Sequence, residues 1–326
     1  MMRLMIALLL PIVAGAGALP ASAQSWPSKS VSWIVPFAPG GSSDVISRMV
    51  ASKLAERIGQ SVVVDNKPGG AGVIAMQAAQ RATPDGHTII LGHIGTMAVN
   101  PFMLPSQPYD VEKDFVTVSL LATVPSMIGV HPGTPITSLK ELLAIAKDKP
   151  GTINYGTAGN GSAGHLAMEY FKLEAGLSKD SLVHVPYRGT GPMMTDLLGG
   201  QTQATFTGAI PLLPHIKSGK VRPIAVGTTK RLDVLPDVPT IAEMGFANFE
   251  TSQWYGVLAP AKTPKDIVDK LSKELAETLK HPDVVAKLAA DGSIAVGSTS
   301  GAFAEFASKE AARWSRVVKA AGIKPD

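Results

Sequence analysis

Cysteine is absent from all 326 residues. Disulfides, thiolate metal sites and a cysteine nucleophile are thereby excluded. Charge is sparse as well. Only 17% of residues are Asp, Glu, Lys or Arg, and the formal net charge is +4, with the basic residues scattered along the chain. Nucleic-acid binding requires a dense basic surface that displaces counterions, so no nucleic-acid partner is expected. Aromatic residues make up 6% and are spread out. Beyond residue 23 there is no run of about 18 apolar residues of the kind a membrane-spanning helix needs. No fixed-period repeat or low-complexity tract is visible.

The amino terminus does hold an apolar run. Arg3 is the only charge before Lys29, and residues 4–19 are apolar, interrupted by Pro11 and followed by Ala21-Ser22-Ala23. This pattern predicts a secretory signal peptide cleaved after Ala23, with a mature start at Gln24 and a periplasmic location. An uncleaved anchor is the alternative; the run is short for a spanning helix and contains a helix-breaking proline. About 300 remaining residues, rich in apolar side chains, suffice for a core without disulfides and suggest two domains.

Strand and helix alternate along the chain. Val31-Ser32-Trp33-Ile34-Val35 reads as a strand and residues 43–58 as a helix, with Val45, Ile46, Met49, Val50, Leu54 and Ile58 on one stripe and Gly59 as the C-cap. Strands at 61–65 and 88–91 flank a helix at 73–81. The middle repeats the scheme: strands at 127–130, 153–157, 182–185, 204–207 and 224–226, helices at 139–147 and 165–175, and a segment at 193–198 that continues the alternation. Residues 264–279, 282–290 and 300–320 are mostly helical. This rhythm predicts βαβ units and parallel sheets. The expected fold is α/β in two lobes, each a mainly parallel sheet flanked by helices, with a cleft between them. The boundaries are residues 24–126 plus 248–326 for the first, discontinuous lobe and 127–247 for the second. Trp254 and Trp314 read as core or lobe packing.

Two glycine-rich turns each follow a strand and open a helix. In residues 36–44, Gly40 and Gly41 uncover backbone N–H groups, Ser42 adds a hydroxyl, and Phe37 lies beside them. Such a turn holds a carboxylate or phosphate without any Lys or Arg; Ser42, Ser43 or Asp44 acting only as a helix cap is the plainer reading, favoured for Asp44. In residues 156–165, Gly159, Gly161 and Gly164 have G-x-G-x-x-G spacing. That spacing serves a dinucleotide or, equally, an anion cradle of backbone amides. Ser162 then stands at a helix start, with His165 one turn in. Asn160-Gly161-Ser162-Ala163-Gly164 resembles a nucleophile elbow but has Asn in its first position, and His165 cannot be assumed to reach back to Ser162. An exported serine hydrolase is therefore the alternative function. His87 and His93 share a strand face without a third ligand, so no metal is expected. Arg188, at a strand's carboxyl end, faces a cleft or forms a surface or interlobe ion pair.

These turns and further segments resemble the exported solute-binding proteins of tripartite tricarboxylate transporters, the Bug family. The shared stretches include Ile34-Val35-Pro36-Phe37-Ala38-Pro39-Gly40-Gly41, Val64-Asp65-Asn66-Lys67-Pro68-Gly69, Pro84-Asp85-Gly86, Gly159-Asn160-Gly161-Ser162, His165-Leu166-Ala167, Val185-Pro186-Tyr187-Arg188-Gly189 and Leu235-Pro236-Asp237-Val238-Pro239-Thr240. They occur in order over essentially the whole mature chain. The resemblance implies a two-lobed, type II-like periplasmic-binding-protein fold with the ligand cleft between the lobes, and a non-catalytic binding protein, without a cofactor, that closes on its ligand and delivers it to membrane permease subunits. It further implies that the two loops hold a ligand carboxylate largely through backbone amides, hydroxyls and water. Candidate ligand contacts are Phe37, Gly40, Gly41, Ser42, His93, Thr96, Thr157, Asn160, Gly161, Ser162, His165 and Arg188. A monomer is expected, with a dicarboxylate, an aromatic acid or an acidic amino acid as ligand; a ligand-presenting sensor subunit would share the fold. Ser42-Ser43 replaces a more usual Gly-Thr, His87 a common Tyr, and His93 is atypical, which bears on ligand choice.

Overall fold

The computed structural model describes residues 26–104, 106, 108–247 and 249–323. The signal-peptide expectation therefore lies outside the described residues. No described helix is long and apolar enough to cross a membrane.

The elements run in the order β1 (Val31–Val35), α1 (Ser42–Ile58), β2 (Val62–Asn66), α2 (Val73–Gln80), β3 (Thr88–His93), a π turn (Gly95–Val99), α3 (Asn100–Met103), α4 (Val111–Asp114) and β4 (Phe115–Val130). Then follow α5 (Leu139–Asp148), β5 (Asn154–Thr157), α6 (Ala163–Glu174), β6 (Val183–Pro186), α7 (Thr190–Leu198), β7 (Ala204–Gly208), α8 (Ala209–Lys217) and β8 (Arg222–Val226). The chain ends with β9 (Ser252–Pro260), α9 (Lys265–Leu279), α10 (Pro282–Ala289), β10 (Ile294–Ala295) and α11 (Ser300–Ala321).

The strands follow the order β2-β1-β3-β9-β4-β7-β5-β6, with β8 and β10 also paired to β4. β1 pairs in parallel with β2 and β3, and β5 with β6 and β7. The crossing strands are antiparallel to their neighbours: β9 to β3 and β4, and β4 to β7 and β8. Each sheet is thus mixed, parallel where helices connect its strands and antiparallel where the chain passes between lobes. β4 is one 16-residue strand serving both sheets. Its residues up to Pro125 pair with β9 and those from Ser126 with β7. At that junction the Gly227 N–H donates to the Ser126 carbonyl and the Thr251 N–H to the Gly227 carbonyl, both at 2.7 Å, tying the two crossings together.

Alternation along the strands distributes side chains to both faces. Val31, Trp33 and Val35 join one core with Ile46, Val50 and Leu54 of α1 and Leu271 and Leu275 of α9. Ile34 joins another with Met76 of α2 and Phe303 and Trp314 of α11. In the second lobe Ile128 and Val130 pack on Leu142 and Phe171, whereas Met127 packs on Met193 and Leu212. With helices on both faces, these strands read as nearly continuous apolar runs. Gly59 closes α1 in the left-handed conformation at φ 69°, and Ser138 caps α5 by accepting from the Glu141 N–H.

Candidate functional site

Four helices begin at the seam between the lobes. α1 starts at Gly41, α6 at Ser162, α7 at Gly189 and α8 at Gly208. A Cβ added at Gly41 would lie 2.8 Å from Thr190 Oγ1, one at Gly189 2.8 Å from Ala38 N, and one at Gly208 2.8 Å from Ser42 Oγ. Glycine caps are therefore what allows these helix starts to reach the opposite lobe. None of the three glycine caps supplies a side-chain acceptor to the first turn. Each helix start carries about half a positive charge in unsatisfied N–H groups.

A narrow cavity at the seam is lined by Phe37, Ser43, His93, Ile94, Ala158, Ser162, Ala163, Gly164, Thr190, Thr207, Gln253, Trp254 and Tyr255. Among the described residues, no Lys, Arg, Asp or Glu lines it. Positive potential there comes from main-chain amides and helix ends. The Tyr255 hydroxyl donates to Gln253 Oε1, and burial pushes the Tyr255 pKa well above that of an ordinary tyrosine.

Of the candidate contacts, Phe37, His93 and Ser162 line this cavity. The Phe37 and His93 rings lie 4.6 Å apart, tilted by 50°. Gly41 and Ser42 sit beside it. Ser42 Oγ is buried, with the Tyr255 hydroxyl as its polar neighbour. The other candidates have different surroundings. The Gly40 N–H is taken by Asp44 Oδ2 at 3.1 Å, and Asp44 also binds Arg48 and Asn66, so this acid is a loop-bracing cap. Thr96 is fully buried within the π turn, its Oγ1 3.4 Å from the His93 carbonyl. Thr157 Oγ1 is 2.6 Å from His184 Nε2. Asn160 and His165 border a separate depression on the far side of the second glycine loop. Arg188 exposes its side chain, and it is the Arg188 carbonyl that meets the first lobe, accepting from the Ala38 N–H at 3.3 Å.

His165 braces the loop from behind. Its Nδ1 accepts from the Gly161 N–H at 3.2 Å, and its ring stacks on His184 at 4.0 Å and 9°. Burial, then the Lys172 charge, lowers the His165 pKa to about 4; burial, then His165, lowers that of His184 to about 3. Beneath them a buried Glu169 pairs with Lys172 at 2.7 Å and accepts from the Tyr155 hydroxyl at 2.8 Å. Ser162 Oγ accepts from the His165 main-chain N–H at 3.4 Å as a helix cap, and no histidine ring nitrogen is bonded to it among the described residues. The nucleophile–base pair that a serine hydrolase needs is not assembled there.

Ser43, Thr190, Thr207, Gln253 and Tyr255 were not legible as site residues. Thr190 follows Gly189, and Thr207 precedes Gly208, at turns of the same strand-to-helix kind as those singled out. Gln253 is a polar residue at the start of an otherwise apolar strand, a signal available in the sequence.

The profile of the tripartite tricarboxylate transporter family receptor matches residues 46–323. Protein BugT of Bordetella pertussis is 37% identical over 314 residues, covering 96% of this chain and 95% of that protein. A solved R. palustris protein with adipate is 36% identical with a TM-score of 0.88, over 92% of this chain and 100% of that one. MatC from Rhodopseudomonas palustris with bound malate is 30% identical with a TM-score of 0.85, over 90% and 100%. The chain belongs to the tripartite tricarboxylate transporter receptor family of periplasmic solute-binding proteins.

Proposed function

We propose that this protein captures a small carboxylate-bearing solute at the seam and hands it to the membrane permease subunits of a tripartite tricarboxylate-type transporter. The observation that carries the reading is the convergence of four helix starts on a cavity without a cationic side chain. An anion there is held by amide N–H groups and helix dipoles rather than by a salt bridge. The adipate and malate in the two relatives support a carboxylate, and favour a dicarboxylate over an aromatic acid or an acidic amino acid.

In this reading residues 24–126 with 248–326 form one lobe and 127–247 the other, and they rotate about the junction at Pro125–Ser126 and 251–252. Ligand bridges the lobes and satisfies donors otherwise left unpaired on closure, which shifts the population toward the closed form. The protein is exported with cleavage after Ala23 and acts as a periplasmic monomer without turnover. Contacts come from Phe37, Gly41, Ser42, Ser43, His93, Ser162 and Thr190, with Gly161 and His165 shaping the loop.

A thermal-shift screen of residues 24–326 against di- and tricarboxylates, hydroxy acids, aromatic acids and acidic amino acids tests this. A ligand that binds only the folded state raises Tm with concentration. A shift for an acid that its amide fails to produce is expected; an equal shift for both contradicts the amide cradle.

A further inference from the structure

His93 is held in one chemical form by its surroundings. Its Nδ1 accepts from the Gly95 N–H at 2.9 Å, so that nitrogen carries no proton and the neutral ring bears its hydrogen on Nε2. A Cβ at Gly95 would lie 2.5 Å from His93 Cε1 and 2.7 Å from the Gly161 carbonyl oxygen, so the ring is wedged beside the second lobe's loop. Phe37 covers it at 4.6 Å. The residue is 3% exposed, and Nε2 has no hydrogen-bond partner among the described residues. A buried donor without an acceptor is uncommon in a folded protein.

We propose that His93 is the residue that selects the ligand's second polar group: a neutral imidazole in the cavity wall donates Nε2–H to a ligand oxygen and disfavours an ammonium at that place. The inference rests on the carboxylate reading and narrows it. An oxygen acceptor such as a second carboxylate, hydroxyl or keto group fits this donor. An α-ammonium has donors only and would face the N–H. Protonation of the ring would set a second N–H against that of Gly95. Burial alone lowers the pKa to about 3, and among the described residues that line the cavity with it the Tyr255 hydroxyl is the other titratable group. Binding through this nitrogen is therefore independent of pH in the range where free histidine titrates.

Titration calorimetry of residues 24–326 with adipate and with malate, from pH 5.5 to 8, tests this in the wild type, His93→Phe and His93→Gln, each checked for an unchanged thermal transition. Phenylalanine fills the space without a donor; glutamine restores an N–H. The tighter of the two acids is expected to bind the wild type with a flat pH profile, His93→Phe about tenfold more weakly, and His93→Gln closer to wild type. Equal affinity in His93→Phe overturns the role of His93 and leaves the carboxylate reading standing. Affinity that climbs as pH falls through 6.5 overturns the neutral donor in favour of an imidazolium. Failure of the wild type to bind either acid, or succinate and glutarate as further probes, overturns the dicarboxylate reading and the inference with it.

Discussion

Ala38 and Arg188 are joined across the cleft by a main-chain hydrogen bond, the Ala38 N–H donating to the Arg188 carbonyl at 3.3 Å. The first glycine loop and the turn that opens α7 are therefore in direct contact, and side-chain identity at either residue is not what joins them. Small residues are. A Cβ at Gly191 would come within 2.5 Å of the Pro39 carbonyl oxygen, and one at Gly41 within 2.9 Å of Thr190 Cβ.

Gly41→Val should block this contact without unfolding either lobe. Gly41 has φ −88° and ψ 172°, a conformation open to valine, and the obstruction lies in the opposite lobe. Affinity for the carboxylate ligand is expected to fall by tenfold or more, about 1.4 kcal/mol, with a near-normal unfolding midpoint. Wild-type affinity would show that binding does not need the two loops to meet.

Gly164→Ala should act on folding instead. The added methyl would run into the main-chain carbonyl of Phe206, where α6 crosses β7, and that backbone cannot move aside independently. A loss of about 3 kcal/mol in urea denaturation is expected, the scale of overpacking in a dense core. An unchanged midpoint would contradict the close seat of α6.

Glu169 and Lys172 form a buried pair, 8% and 4% exposed. Glu169→Gln alone or Lys172→Met alone strands a buried polar or charged partner and should cost about 3–5 kcal/mol. The double variant should recover much of that loss. Additive costs in a double-mutant cycle would exclude coupling between them.

Stability should fall with acid from near neutrality. His93, His165 and His184 have folded-state pKa values of about 3, 4 and 3, lowered first by burial, against an ordinary 6.5. Below 6.5 the unfolded chain takes up protons that the native state does not, so the contribution is complete above 6.5 and is lost as pH falls toward 4. Each histidine accounts for about 1–2 kcal/mol by pH 5. Urea midpoints at pH 7.5, 6 and 5 check this, and His165→Gln should flatten the slope. A midpoint constant over that range would mean that the rings are not buried neutral.

Local patterning made most elements legible. β1 begins and ends where its apolar residues do, and the stripe from Val45 to Ile58 with Gly59 marks α1 within a residue, although Val45 itself is exposed. The strands at the crossings were harder to read. β4 is 16 residues long with Pro125 inside it, and a proline normally argues against a strand interior; the strand expected at 127–130 is only its end, although residues 115–124 are themselves an unbroken run of strand-forming side chains. Pro211 and Pro214 conceal α8 in the same way, although Pro211 lies in the first turn, where its missing N–H costs nothing. At the site, the glycine turns revealed two of the four helix starts. Which side of a loop a residue faces was not legible: His165 and Ser162 are three apart, yet one lies behind the loop and the other lines the cavity. Side-chain direction there follows from the turn through Gly159 and Gly161, at φ 128° and 68°, which no periodicity encodes.

The central claim, a carboxylate held by main-chain donors at the seam, is tested most directly by titration calorimetry of residues 24–326 with the acid that gives the largest thermal shift and with its amide. The account predicts saturable one-to-one binding of the acid and no measurable binding of the amide, with the acid's affinity changing little between 50 and 200 mM salt because the donors are buried. Equal binding of acid and amide, or no binding of any carboxylate, would contradict it.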